Sequence, residues 1–412
     1  MNARNRIRTD VAIVGGGIAG LWLLDVLQAQ GHRTLLLERS AFGDGQTAAS
    51  QGMIHGGLKY ALSGVLTGAS EAIAGMPDRW RQCLSGAGDV DLSAVRVLSD
   101  NYYMWANDAT LGQIGSFFAS KLLRARIRRL EPVEFPPAFA FPTFRGVVYE
   151  LQDLVLDTTS LLETLANRHR TRTLRAEVRP EDLHVAGDGT VEAIRLEGLD
   201  VVADRYVLCA GAGTEALLRA LPPAAPRMQR RPLKQVIVES RHGMPFYAHC
   251  ITGLTRPEPR LTVTTHRRRD GSAVFYLGGQ LATDGAARGE ADQLRIAREE
   301  LLRCIPWLDF GGARLATYTI DRAEPLTRGG RRPDEAFVAS TANVLVCWPI
   351  KLSLVPDLGD RVLAAIRTAA LVESRSGDRS HSESIRSHTE SIRSHSSHTG
   401  PIDVARAPWD LP

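Results

Sequence analysis

Residues 11–14 form a short apolar run, Val-Ala-Ile-Val. Gly15-Gly16-Gly17-Ile18-Ala19-Gly20 follows, and an apolar stretch of helical length continues to residue 30. A strand, a G-x-G-x-x-G turn and a helix in that order leave little choice of fold. Gly15 makes the tight turn, Gly17 lets backbone approach a pyrophosphate, and Gly20 lets the helix pack closely on the strand. The helix N-terminus then offers its free amides and the positive end of its dipole to the phosphates. Residues 34–38 are a second apolar run closed by Glu38, 18 residues after Gly20, where a carboxylate can accept from ribose hydroxyls. The pattern predicts a β-α-β unit, a parallel sheet and a bound dinucleotide.

At 412 residues the chain has room for roughly two or three domains. Its 44% hydrophobic and 23% charged residues are ordinary globular usage, which excludes collagen-like, wholly disordered and disulfide-scaffold classes. No apolar run reaches the roughly 18 residues of a bilayer-spanning helix, and the basic start is not followed by an apolar stretch with a cleavage site. Cys83, Cys209, Cys250, Cys304 and Cys347 are scattered without a C-x-x-C pair, so neither a disulfide framework nor a zinc site is expected. The setting reads as reducing and cytoplasmic. A net charge of +4 is too small to argue for nucleic acid. Residues 374–400 are Ser-rich and nearly without apolar side chains, and His381, His388, His395 and His398 recur there without preformed metal geometry. A disordered tail over 373–412 is the expectation.

Residues 183–186 and 191–196 flank a Gly-Asp-Gly turn as a hairpin does, 206–209 is a buried-type strand, and strands dominate 236–277 before a helix over 291–304. The expected class is α/β: a Rossmann-like dinucleotide-binding domain from residues 1–90, 150–228 and 334–372, with an α+β substrate domain from 91–149 and 229–333. A second fingerprint competes. Gly211-Ala212-Gly213-Thr214-Glu215-Ala216 also follows a strand and opens a helix, with Glu239 closing a later strand, so an NAD site there is an alternative. Against it, three prolines and a basic run interrupt the path to that strand. A basic helix over 121–130 is expected, either as a solvated face or in weak peripheral contact with the inner face of an anionic membrane.

The segment after Glu38 carries the pattern T-x-x-S-x-G-x-I-H-G-G-L-x-Y through Thr47, Ser50, Gly52, Ile54, His55, Gly56, Gly57, Leu58 and Tyr60. It resembles the flavin-approach segment of the D-amino-acid oxidase superfamily of FAD-dependent oxidoreductases, most closely the L-2-hydroxyglutarate dehydrogenase and FAD-dependent glycerol-3-phosphate dehydrogenase branches. Arg129-Leu130-Glu131-Pro132, the strand and turn 203–213, Arg231-Pro232-Leu233-Lys234 and Arg322-Ala323 are similar to later blocks of that superfamily, in the same order, so the resemblance spans about residues 9–365. It implies FAD held by Gly15, Gly17, Gly20, Glu38, Arg39, Thr47, Ser50, Gln51, Gly52, Met53, Val178, Gly211 and Lys351. It departs at 347–357, where the usual glycine-rich turn is missing and the flavin edge must be covered differently.

The activity implied is removal of hydride from a carbon bearing a hydroxyl or amine in a small anionic substrate, a 2-hydroxy acid, polyol phosphate or amino acid. The electron acceptor would be oxygen, a quinone or a carrier protein. Alternatives are the NAD-using enzyme and a non-catalytic flavoprotein. Three residues are candidates for catalysis, each with an ordinary reading beside it. His55 takes the substrate proton or only positions the flavin. Arg322 clamps a carboxylate or phosphate, or pairs with Glu324 or Asp321. Lys351 stands at the flavin edge that gathers negative charge on reduction, or merely caps a helix or pairs with Asp357 or Asp360. Lys is scarce here, four among 50 basic residues, and Lys59, Lys234 and Lys351 fall in blocks that the resemblance places around flavin and substrate. His266, beside three arginines, reads as an exposed strand end.

Overall fold

A computed structural model describes residues 4–56, 73–107, 127–252, 258–330, 332–375 and 401–411. Lys59, Lys121, most of the anticipated basic helix and the four tail histidines lie outside the described residues.

Strand β1 (Asn5–Val14) runs parallel to β2 (Thr34–Glu38) on one side and to the strand Leu199–Leu208 on the other, with Val14 opposite both Leu37 and Leu208. Helix α1 (Ile18–Ala29) makes the crossover between β1 and β2. It is apolar on nearly every side because it is covered on every side, by the sheet, by Trp80 and by the helix Val355–Arg375. Trp22 meets Trp80 at 5.2 Å between ring centroids. Gly359 is the close point of the helix pair, since a Cβ there would stand 3.1 Å from Trp22 Nε1. The sheet continues outward through Thr173–Arg175 beyond β2, and beyond Leu199–Leu208 through the hairpin Leu183–Val185 and Val191–Leu196 and through Val344–Trp348 with Phe337–Thr341. Both neighbours of β1 end level with it, so the carboxyl edge of the sheet opens a crevice where the glycine turn leaves, the usual ligand position in such sheets.

A second eight-stranded sheet, mostly antiparallel, is ordered Arg314–Pro325, Met228–Glu239, Ala273–Gly278, Leu261–Arg267, Ala248–Cys250, Tyr102–Asn107, Gly146–Leu151, Ile127–Arg129. Its two faces differ along Met228–Glu239. Val236 and Val238 pack into the core that includes Leu301 of the helix Glu290–Cys304 and the aromatic group Trp105, Phe139, Phe246 and Trp307. Leu233 and Gln235 turn the other way, toward the crevice. Period-two alternation therefore gives one strand both a core face and a ligand face. A small sheet joins Met53–Ile54 to Leu154–Leu156, which pairs on its other side with Val97–Ser99.

Several expectations need correction. Residues 127–129, expected as the end of a basic helix, form a strand paired with Gly146–Leu151, whose hydrogen-bonding edge outweighs the local pattern. His266 is buried at 2% exposure, because its strand runs through the middle of the second sheet and Trp409 stacks on its ring at 3.9 Å. The tail does not stay featureless to its end. Residues 401–411 dock, with Ile402, Ala407 and Trp409 buried, Phe42 N donating to Asp403 O at 2.8 Å and Ala405 N to Phe42 O at 3.0 Å. Truncating a tryptophan so buried costs about 3–5 kcal/mol, so this segment belongs to the fold. Lys234 points away from the crevice, donating to the carbonyl of Arg288 on the opposite face.

Candidate active site

The glycine turn is dictated by close approach. Gly15 has φ +112, and a Cβ there would lie 2.6 Å from Ala210 Cα. At Gly20 a Cβ would lie 1.9 Å from the Gly15 carbonyl oxygen. Gly17 differs: the nearest protein atom to its Cβ position is Thr47 Oγ1 at 3.4 Å, so its open side faces the crevice. Thr47 Oγ1 accepts from Ile18 N at 3.1 Å, fixing the loop after β2 to the start of α1. Glu38 is buried, and its carboxylate accepts from Gly16 N at 2.6 Å and from Ser40 N at 2.9 Å.

These groups surround a cavity of about 690 Å³, within the range of ligand-binding pockets. Gly15, Gly17, Glu38 and Arg39 line its first part, and Thr47, Ser50, Gln51 and Met53 continue along it. Val178 and Gly211 line it from two other segments, and His55, Arg322 and Lys351 also face it. Gly20 and Gly52 do not. Gly20 serves the helix contact, and Gly52, at φ +73 with its Cβ position 2.0 Å from Leu156 O, seats the loop on the Leu154–Leu156 strand. The second fingerprint resolves into a wall of the same cavity: Gly211–Gly213 is a single turn, the helix after it spans only Thr214–Leu217, and the next strand, Met228–Glu239, belongs to the other sheet. It forms no second β-α-β unit.

His55 is anchored through its amide, which donates to Ser353 Oγ at 2.9 Å, and the next amide, Gly56 N, donates to Asp153 Oδ1 at 2.9 Å. Ser353 follows Lys351 closely, so one contact ties the two cavity-facing groups together. In the segment 347–357, Ile350 takes φ +65, a left-handed conformation that a β-branched residue rarely adopts. Of the carboxylates suggested as partners for Lys351, Asp357 accepts from Arg361 Nε at 2.9 Å and Asp360 from Arg79 at 2.6 Å.

Arg322 stands at the other wall. Glu324, 1% exposed, is held by Arg231 at 3.0 Å and Arg332 at 3.1 Å, while Asp321 is held by Arg230 at 3.2 Å. Arg322 itself donates from Nε to the Arg231 carbonyl at 3.4 Å and forms no ion pair among the described residues. Burial, and then the neighbouring Arg332, hold its pKa below the ordinary value. Burial has the opposite sign for thiols: Cys209 is pushed up to about 12 and Cys347 is also raised. Both cavity-lining cysteines are thus neutral and not nucleophilic.

The model of the family described as "DAO: FAD dependent oxidoreductase" matches residues 10–348. The FAD-dependent oxidoreductase PA4991 of Pseudomonas aeruginosa is 48% identical over 361 residues, covering 87% of this chain and 91% of that protein. The chain belongs to the DAO family of FAD-dependent oxidoreductases. The crystal structure of PA4991 superposes with a TM-score of 0.79 at 38% identity, each chain covered to 99%. Glycine oxidase from Geobacillus kaustophilus shares the fold at a TM-score of 0.60 and 18% identity, over 86% of this chain and 95% of that one.

FAD is the cofactor of this DAO-family member, and the cavity fits it. The open side of Gly17, the amides at the start of α1 and the buried Glu38 supply a close backbone approach, an anion-binding terminus and an acceptor for hydroxyls. No helix among the described residues is long and apolar enough to cross a membrane. Sequence reading missed Gln46, whose Oε1 accepts from Ala323 N at 3.0 Å, and Gln235 and Arg332, which also line the cavity. Only the period of two along Met228–Glu239 could have flagged Gln235, a lone amide at the edge of an apolar run.

Proposed function

We propose that this enzyme oxidises a small anionic substrate at a carbon bearing a hydroxyl or an amine, a 2-hydroxy acid, polyol phosphate or amino acid. Arg322 is the anchor for the carboxylate or phosphate. The observation that carries this is a half-buried guanidinium facing the cavity while Asp321 and Glu324 beside it are held by other arginines. Partial burial disfavours the bare cation, and a carboxylate or phosphate accepting two hydrogen bonds from the guanidinium offsets that cost.

When bound, FAD accepts the two electrons that leave the substrate carbon. The glycine turn and the start of α1 hold the pyrophosphate, and Glu38 accepts from ribose. His55, held by Ser353, receives the proton from the hydroxyl or amine. Lys351 supplies positive charge to the ring edge where negative charge gathers on reduction. The electron acceptor is oxygen, a quinone or a carrier protein.

The test is Arg322→Leu against Arg322→Lys, assayed with an anionic substrate and a neutral analogue of the same skeleton. Loss of charge-assisted hydrogen bonds of about 3 kcal/mol lowers kcat/KM for the anion roughly 10²-fold, with a much smaller change for the analogue and partial recovery in the lysine variant. An equal loss for both substrates contradicts the assignment.

A further inference from the structure

Gln235 is 4% exposed, yet it faces the cavity from the middle of Met228–Glu239. Its Oε1 accepts from the Tyr276 hydroxyl at 2.6 Å. With that oxygen committed, the Nε2 end of the amide has its orientation set, and it donates no hydrogen bond among the described residues. Tyr276 is fully buried, and its hydroxyl also lies 3.2 Å from the Ala49 carbonyl oxygen, so Gln235 stands beside the loop that continues from Thr47. A second glutamine, Gln51, is fixed from the same place, donating to Tyr276 O at 3.0 Å and Thr264 Oγ1 at 3.2 Å.

Behind these groups lies the C-terminal segment. The Trp409 ring meets Tyr276 at 5.1 Å and stacks on His266 at 3.9 Å. The His266 ring contacts Thr264 Oγ1 at 2.9 Å, the same hydroxyl that receives Gln51. The segment also bridges to Phe42 through Val404, and Phe42 fills the space above Gly16, where a Cβ would stand 2.8 Å from its ring. One short stretch of chain thus backs both the loop and the sheet that face each other across the cavity.

We propose that Gln235 is a hydrogen-bond donor to bound flavin and that Trp409, acting through Tyr276, is the residue that positions it. A flavin acceptor fits the place better than the substrate anion. Arg322 pairs with Arg231, four residues along the strand from Gln235, or about 13 Å at 3.3 Å per residue. A donor fixed before the flavin arrives needs no reorganisation when charge develops on the ring.

The experiment is spectroelectrochemistry of the FAD-loaded protein and of Gln235→Leu, Tyr276→Phe, their double variant, Trp409→Leu and Trp409→Phe, with the visible flavin spectrum recorded for each. Gln235→Leu lowers the reduction equilibrium roughly tenfold, a shift of about 30 mV for two electrons, and perturbs the spectrum. Tyr276→Phe reproduces much of that shift, and the double variant adds little to Gln235→Leu. Trp409→Leu shifts the potential in the same direction and Trp409→Phe restores it. An unchanged potential and spectrum in fully loaded Gln235→Leu overturns the proposal. A shift in Gln235→Leu with none in Tyr276→Phe overturns the positioning role. Tyr276→Phe removes one oxygen and keeps the ring packing, so this arm decides the matter even if Trp409→Leu does not fold.

Discussion

Gly17 is the glycine around which the protein leaves room. Its Cβ position meets nothing closer than Thr47 Oγ1 at 3.4 Å, whereas at Gly15 and Gly20 backbone atoms stand within 2.6 and 1.9 Å. A side chain at 17 is therefore excluded by ligand rather than by fold. Gly17→Val is expected to fold with a melting temperature close to that of FAD-free wild type and to lose FAD, measured as the flavin-to-protein absorbance ratio after gel filtration. Full FAD occupancy in that variant would show that the pyrophosphate is held elsewhere. The glycine turn, Glu38 and the Thr47–Met53 loop were legible in the sequence as a wall of the cavity, because residues close together in the chain build it. Gln235 and the cation group around Glu324 were not, because each depends on strands far apart in sequence meeting in one register, Arg231 opposite Arg322 and Gln235 opposite Tyr318.

At the scale of elements, α1 and its flanking strands were the best specified part of the chain, since period, turn and helix length agree. The hairpin Phe337–Thr341 and Val344–Trp348 shows the contrary case. It turns through Ala342 at φ +48 and Asn343, whose side chain exchanges two hydrogen bonds of 2.9 Å with the backbone of Val191. Nothing local asks for a turn in Thr-Ala-Asn; the asparagine is paid for by a distant strand. Ala342 is exposed and has no such compensation. Left-handed backbone costs an alanine about 1–2 kcal/mol, and glycine gives back about 0.5–1 kcal/mol in chain entropy. Ala342→Gly should therefore raise stability by about 0.5–1 kcal/mol, read as a higher denaturant midpoint at unchanged slope. A lowered midpoint would mean that the turn is not strained.

Over the whole molecule, the segment 401–411 connects the glycine-loop side to the second sheet, and composition hid it. Its few apolar residues follow a long Ser- and His-rich stretch, and their partners, Phe42 and His266, lie far away in sequence. The same contact makes the fold sensitive to acid. Burial lowers the His266 pKa to about 3, against an ordinary value of about 6.5. Below pH 6.5 the unfolded chain takes up a proton that the folded chain refuses, so this stability is fully present above 6.5 and is lost as pH falls toward 3. At pH 5 the loss is about 2 kcal/mol for this one group. His266→Phe keeps a ring against Trp409 without a titrating group, and should lessen the fall in unfolding free energy between pH 7.5 and 5 by about that amount. The same fall in variant and wild type would place the acid sensitivity elsewhere.

The proposed function is that a DAO-family cavity holding FAD presents the half-buried Arg322 to an anionic substrate. Its most direct test is an anaerobic titration of the FAD-loaded protein with 2-hydroxy acids, amino acids and polyol phosphates, each beside its ester or otherwise neutral counterpart, followed by flavin absorbance. The account predicts that at least one anionic compound bleaches the flavin and that its neutral counterpart does so far more slowly. Bleaching by neutral compounds with no advantage for the anions, or no bleaching by any of them, would contradict it.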